Sequence, residues 1–239
     1  MISSGRKTGQ GRAGSQGTVA SPALDMGTTP GSGRPGDGGG LRILAGIAWA
    51  WAAGFVMFFL AGSTQRRIWP LVAGGPGLMR LAVNTCIEEA LRLGIAMALV
   101  RIAGAMRLRP GISGFMVVIA STVMAGVENL SYLSAVMTVD VYWRIGYTTL
   151  LHAGSAALYA LALQSAAASR QAASGYGILA GAFVAGWLWH LGLNSAATWM
   201  DWRFLPHTGT IINIVMMLSL MTISHYRNAY LRNIHPARR

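Results

Sequence analysis

The chain alternates between long runs almost free of charge and short connections that carry it. Apolar segments cover about 43–62, 78–100, 113–137, 147–168, 176–199 and 210–225. Each approaches or exceeds the roughly 20 residues that span about 30 Å of hydrocarbon as a helix. The pattern predicts an all-α, polytopic transmembrane helix bundle of about six spans, the last being the shortest. Residues 1–40 are crowded with Gly, Ser, Thr and Pro and hold no apolar run, which predicts a disordered tail. No apolar core begins before Leu41, so this stretch does not read as a signal peptide. The domain organisation is then a disordered cytoplasmic tail over 1–40, a helical bundle over 41–226 and a basic cytoplasmic tail over 227–239. Pro70 and Pro76 fall in the first connection, where Ile68 to Ala73 reads as a short interfacial element and not as a span. No internal repeat is visible, so an inverted-repeat transporter gains no support.

Composition sharpens this picture. With 53% hydrophobic and 11% charged residues and a mean hydropathy of +0.46, the chain exceeds what a water-soluble domain of its size keeps in solution. The net charge of +12 raises nucleic acid as a partner. The basic residues, however, lie in the tails and between apolar runs and form no single patch, so nucleic-acid binding is set aside. A single cysteine, Cys86, excludes an internal disulfide and a cysteine-based metal cluster. Orientation follows from arginine placement. With the N-terminus inside, the inner side carries Arg34, Arg42, Arg101, Arg107, Arg109, Arg170, Arg227, Arg232, Arg238 and Arg239, and the outer side only Arg66, Arg67, Arg80, Arg144 and Arg203. This predicts an integral protein of the cytoplasmic membrane with both termini in the cytoplasm. Trp69, Trp143, Tyr147, Trp199 and Trp202 gather near the outer ends, as an aromatic belt does.

Against this background the ionisable residues stand out. Glu88, Glu89 and Glu128 are the chain's only glutamates, and all lie inside apolar segments, where a carboxylate costs roughly 2.5–3.5 kcal/mol even on insertion-based scales. At 1.5 Å per residue from the outer ends, Glu88 lies about 15 Å deep, Glu128 about 13 Å, His152 about 8 Å and His190 about 13 Å. Four antiparallel segments thus set their ionisable groups at nearly one depth, which predicts one polar cavity between helices, reached from the outer side. Around the second segment Glu88, Glu89 and Arg92 fall at about 0, 100 and 40 degrees, so Arg92 pairs with one carboxylate as a structural ion pair. The other faces the bundle without a cation of its own on that helix, a position suited to a general base. The bland alternative is an ion pair that only orients helices.

Glu128 is followed by Asn129 and, a turn on, by Tyr132, with Ser121 two turns back on much the same face; a polar helix contact explains these as readily as function does. His152 lies between Thr148, Thr149 and Ser155, the setting of a hydrogen-bonded core histidine. His190 has Asn194 one turn on, with Gly186 and Thr198 along the same stripe. Two such donors aimed at one point suit a developing oxyanion, although interhelical hydrogen bonding explains them too. His207, His225 and His235 receive no role.

The sequence Glu88-Glu89-Ala90-Leu91-Arg92, then Glu128-Asn129-Leu130-Ser131-Tyr132, then His152, then His190-Leu191-Gly192-Leu193-Asn194, resembles the PrsW family of intramembrane proteases. That family is related to the group of CAAX prenyl endopeptidases and bacteriocin-processing or immunity proteins. The likeness covers the second to fifth segments, about half the chain. It implies that the paired glutamates supply a catalytic carboxylate, that Glu128, His152 and His190 line the same site, and that Asn194 assists His190. It also implies single-span membrane proteins such as anti-sigma factors as substrates. Arg92 stands where the family usually has lysine, and Met124 where it often has phenylalanine. Compared with the CAAX group, the arginine falls one residue early and Glu128 replaces a histidine.

The leading expectation is a hydrolase in which Glu88 or Glu89, with a histidine, deprotonates water while His190 and Asn194 stabilise the oxyanion. No cofactor is required on this reading, and neither a Gly-x-Ser-x-Gly elbow nor a Cys/His pair recommends a covalent nucleophile. Zinc on His152, His190 and Glu128 is the alternative, against which stands the lack of a His-Glu-x-x-His motif. Two further classes remain open: a proton-coupled transporter that loads protons on the glutamates, and a non-catalytic scaffold or immunity protein of the same fold.

Overall fold

A computed structural model describes residues 39–133, 139–169, 171–199 and 205–234. All regular structure among the described residues is helical: α1 (Gly39–Val72), α2 (Gly77–Ala105), α3 (Pro110–Leu133), α4 (Val139–Ala168), α5 (Ala172–Trp199) and α6 (Leu205–Ile234). The predicted tail over 1–40 lies, but for its last two residues, outside the described residues, as do residues 235–239 and the side chains of Tyr132, Trp143, Thr198, Trp199 and Trp202. Four stretches are long and apolar enough to cross a membrane: Gly39–Val72, Pro110–Ser131, Tyr147–Ala168 and Ala172–Ala196. In α2 the run is interrupted midway by Glu88, Glu89 and Arg92, and in α6 the apolar part is the shorter Gly209–Ser224. By length and composition, then, four of the six predicted spans stand.

Element ends follow the chain's punctuation. Pro76 precedes the first residue of α2 and Pro110 opens α3, positions where the missing N–H would have no helical partner in any case. Between these helices Leu108 N donates to Ala103 O at 2.9 Å, with Arg107 in the left-handed region at φ 56, the closing turn usually given to glycine. The separate interfacial element expected over Ile68 to Ala73 does not form. Its residues up to Val72 continue α1, with Pro70 inside the helix. Only two helical residues follow it, so the missing bond to Arg66 O and the ring clash fall close to the end of the helix. Likewise α6 runs on through Ile234, past the expected end of the sixth apolar segment.

Packing puts α4 at the centre, against α2, α3, α5 and α6; α1 lies on α2 and α3, and α6 lies chiefly on α4. The contact surfaces are small: Ala50, Ala96, Ala103, Ala120, Ala156 and Ala160 are buried around Leu99, Met116 and Tyr159. Small residues let backbones approach, as at Gly54, where an added Cβ would lie 2.5 Å from Ala120 O. Asn213 ties α6 down by accepting from Trp189 Nε1 at 3.2 Å and donating to Tyr147 O at 3.3 Å. Outward, α1 shows Trp51, Phe55 and Phe59 and α6 shows Ile211, Val215 and Leu218, all well exposed. Apolar side chains outside and charges inside are the arrangement of a helix bundle in hydrocarbon.

Candidate active site

The interior of α2–α5 holds the ionisable groups, and the local reason is helical phase. Glu89 and Arg92, three residues apart, lie on the face of α2 turned to α4 and α5, and both are almost wholly buried. Arg92 is the hub. It donates to Glu89 Oε1 through Nη1, to Ser121 Oγ of α3 through Nε at 3.0 Å, and to His152 Nδ1 of α4 through Nη2. Ser121 in turn donates to His152 O at 2.9 Å. The expected ion pair is therefore present, and its acid is Glu89.

Glu89 is held on both oxygens. Besides Arg92, its Oε1 accepts from His190 Nδ1 of α5 at 2.8 Å, and its Oε2 accepts from the Tyr159 hydroxyl of α4 at 2.7 Å. A buried carboxylate that accepts from three donors is a fixed anion whose task is to hold its neighbours. Tyr159 can reach it because residue 186 is glycine: a Cβ there would sit 2.5 Å from the hydroxyl and 3.4 Å from Glu89 Oε2.

Glu88 differs. Its side chain is 15% exposed, Gln65 Nε2 of α1 donates to its Oε1 at 2.8 Å, and its Oε2 lies 3.6 Å from His190 Nε2. That oxygen has no donor at bonding distance among the described residues and lies just beyond hydrogen-bond reach of the histidine. Glu128 Oε2 lies 3.1 Å from His152 Nε2, and the two imidazoles meet edge to face, 5.4 Å between centroids. Asn194 is half-buried one turn beyond His190, with no hydrogen bond among the described residues. Asn129 Nδ2 donates to Thr149 Oγ1 at 3.4 Å, while Ser155 Oγ is buried without a partner among them.

Five of the expected residues, Glu88, Glu89, Glu128, His152 and His190, are thus brought together from four helices. Sequence reasoning missed Gln65 and Tyr159. Tyr159 follows His152 by two turns on the same face, a signal present in the spacing. Gln65 lay past the end of the first apolar segment.

A metal needs lone pairs pointing at one place. Among the described residues the group close enough is Glu88, His152 and His190, with ligand atoms within 4.8 Å of one another; this differs from the expected set of His152, His190 and Glu128. His190 offers Nε2 to such a group, since its Nδ1 meets Glu89. His152 meets Arg92 at Nδ1 and lies 3.1 Å from Glu128 Oε2 at Nε2.

No protein-family model, no curated protein and no solved structure matches the chain.

Proposed function

We propose that the chain is an intramembrane peptidase of PrsW type, with six spans and both termini in the cytoplasm, that hydrolyses single-span membrane proteins by carboxylate-activated water. The observation that carries this reading is the Glu88 carboxylate. It is 15% exposed, anchored on one oxygen by Gln65 and turned with the other toward His190 Nε2 at 3.6 Å. Anchoring one oxygen orients the second, the arrangement a general base needs. Glu88 takes a proton from a water as its oxygen bonds to the scissile carbonyl carbon. The oxyanion that forms is met by His190 and by the Asn194 amide. For this role His190 enters the step as the imidazolium, its charge balanced by Glu89 at Nδ1 and Glu88 at Nε2, and leaves the step in the same form. Collapse breaks the C–N bond, and the proton on Glu88 passes to the leaving amine. Glu89, Arg92 and Tyr159 hold His190 in place and touch no substrate.

The test is cleavage of a single-span reporter by purified protein in lipid. Wild type cuts it, and E88A and H190A each lower cleavage by about a hundredfold or more while eluting as wild type in gel filtration. Undiminished cleavage by both variants sinks the assignment. Anti-sigma factors are the substrate class implied by resemblance, and comparison of membrane proteomes with wild-type and E88A copies of the gene is the search for the actual one.

A further inference from the structure

A cleft of about 690 Å³ opens where α1, α2 and α5 meet. Its walls are Trp69 at the end of α1, Leu78, Arg80, Leu81 and Asn84 of α2, and Ser195 of α5. Asn84 stands one turn before Glu88 and Ser195 five residues after His190, so the cleft lies along α2 and α5 directly beyond the Glu88–His190 pair. Arg80 is its only charged side chain, and among the described residues Arg80 forms no ion pair. Yet it is held: Nη1 donates to Ala73 O at 3.3 Å and the guanidinium lies over the Trp69 ring, 5.7 Å from its centroid. One acceptor for five N–H groups leaves the planar fork open on its other edge, the geometry that takes a carboxylate in two parallel bonds.

We infer that this cleft is a substrate subsite in which Arg80 binds a carboxylate on the peptide, three to four residues from the bond that Glu88 attacks. The spacing comes from the helix. Eight residues separate Arg80 from Glu88, about 12 Å of rise, which an extended peptide covers in three to four residues at roughly 3.3–3.6 Å each. The polar side chains of Asn84 and Ser195 on the way suit the amides of an unwound peptide, which need partners in a bilayer; an acyl chain needs none. The carboxylate is either an acidic side chain or the peptide's own terminus. The inference rests on the hydrolase reading for its substrate but not for its measurement.

Binding is read by fluorescence anisotropy on E88Q protein in phosphatidylcholine nanodiscs, so that turnover plays no part. The probes are three fluorescein-labelled decapeptides of Leu, Ala and Ser: one with a central Asp and an amidated end, one with Asn in its place and an amidated end, and one with Asn and a free terminal carboxylate. At least one carboxylate peptide binds about tenfold more tightly than the neutral one, R80Q removes that preference, and R80K keeps part of it. Which carboxylate peptide gains tells side chain from terminus. Equal binding of all three, or a preference that survives R80Q, overturns the subsite. So does a preference that vanishes when phosphatidylglycerol is added at high salt, since the cleft then takes an anionic lipid headgroup in place of the peptide. If the preference holds and wild type still cuts nothing, the hydrolase reading fails and the subsite stands.

Discussion

The two buried histidines lie 5.4 Å apart and are wired in opposite ways. His190 has a carboxylate at each nitrogen, Glu89 at Nδ1 and Glu88 near Nε2. His152 has a cation at Nδ1, Arg92, and a carboxylate at Nε2, Glu128. The first arrangement leaves His190 Nε2 without a hydrogen-bond partner at bonding distance among the described residues. The second sets a guanidinium against one nitrogen and a carboxylate near the other. On the proposed reading the first imidazole meets the reacting atoms, and the other braces Arg92, which braces Glu89.

The largest expected effect separates the two poles. E88Q lowers reporter cleavage by about 10²–10⁴-fold, the span of a lost general base, while KM stays near its wild-type value. E128Q lowers it by about tenfold or less, since Glu128 meets His152 and not the Glu88–His190 gap. Steady-state kinetics on the two proteins decides the matter, and equal losses erase the distinction between the poles.

Next comes the hub between them. R92M leaves Glu89 buried without its cation, a change that costs about 3–5 kcal/mol in stability. Thermal unfolding in detergent reads this as a fall in Tm or a failure to purify folded protein. R92K keeps the charge but not the three-way fork, so it restores part of the stability and little of the rate. The two histidines follow. H190A loses about 10²–10³-fold in kcat, the worth of an oxyanion donor, and lowers Tm, because it strips one of three donors from buried Glu89. H152A lowers Tm as well, because it strips an acceptor from buried Arg92.

How much of this was legible depended on whether one helix or several decided the outcome. Helical phase alone gathers Glu88, Glu89 and Arg92 on one side of α2, and depth alone sets Glu128, His152 and His190 beside them. Which glutamate Arg92 takes was not legible. On the helical wheel Arg92 lies about 40 degrees from Glu88 and about 60 from Glu89, so phase slightly favours the wrong partner. The choice falls to side chains from elsewhere, since Tyr159 and His190 draw Glu89 inward while Gln65 holds Glu88 toward α1. Gln65 itself was hidden because hydropathy falls off after residue 62, although the α1 backbone continues its own hydrogen bonds to Val72.

The smallest effect tests how finely Glu89 is held. Y159F removes one of three donors to a buried carboxylate, a loss of about 1.5–3 kcal/mol for a bond to a charged group, and kcat falls about tenfold as His190 loosens. G186A adds a Cβ that meets the Tyr159 hydroxyl at 2.5 Å, which costs about 1–3 kcal/mol of overpacking. The two changes act on one contact and so are not additive. In Y159F/G186A the hydroxyl that the methyl would strike is gone, so adding G186A to Y159F lowers Tm less than adding it to wild type. Full additivity of the two Tm changes means that Gly186 serves helix packing alone and that the Tyr159–Glu89 bond does not depend on it.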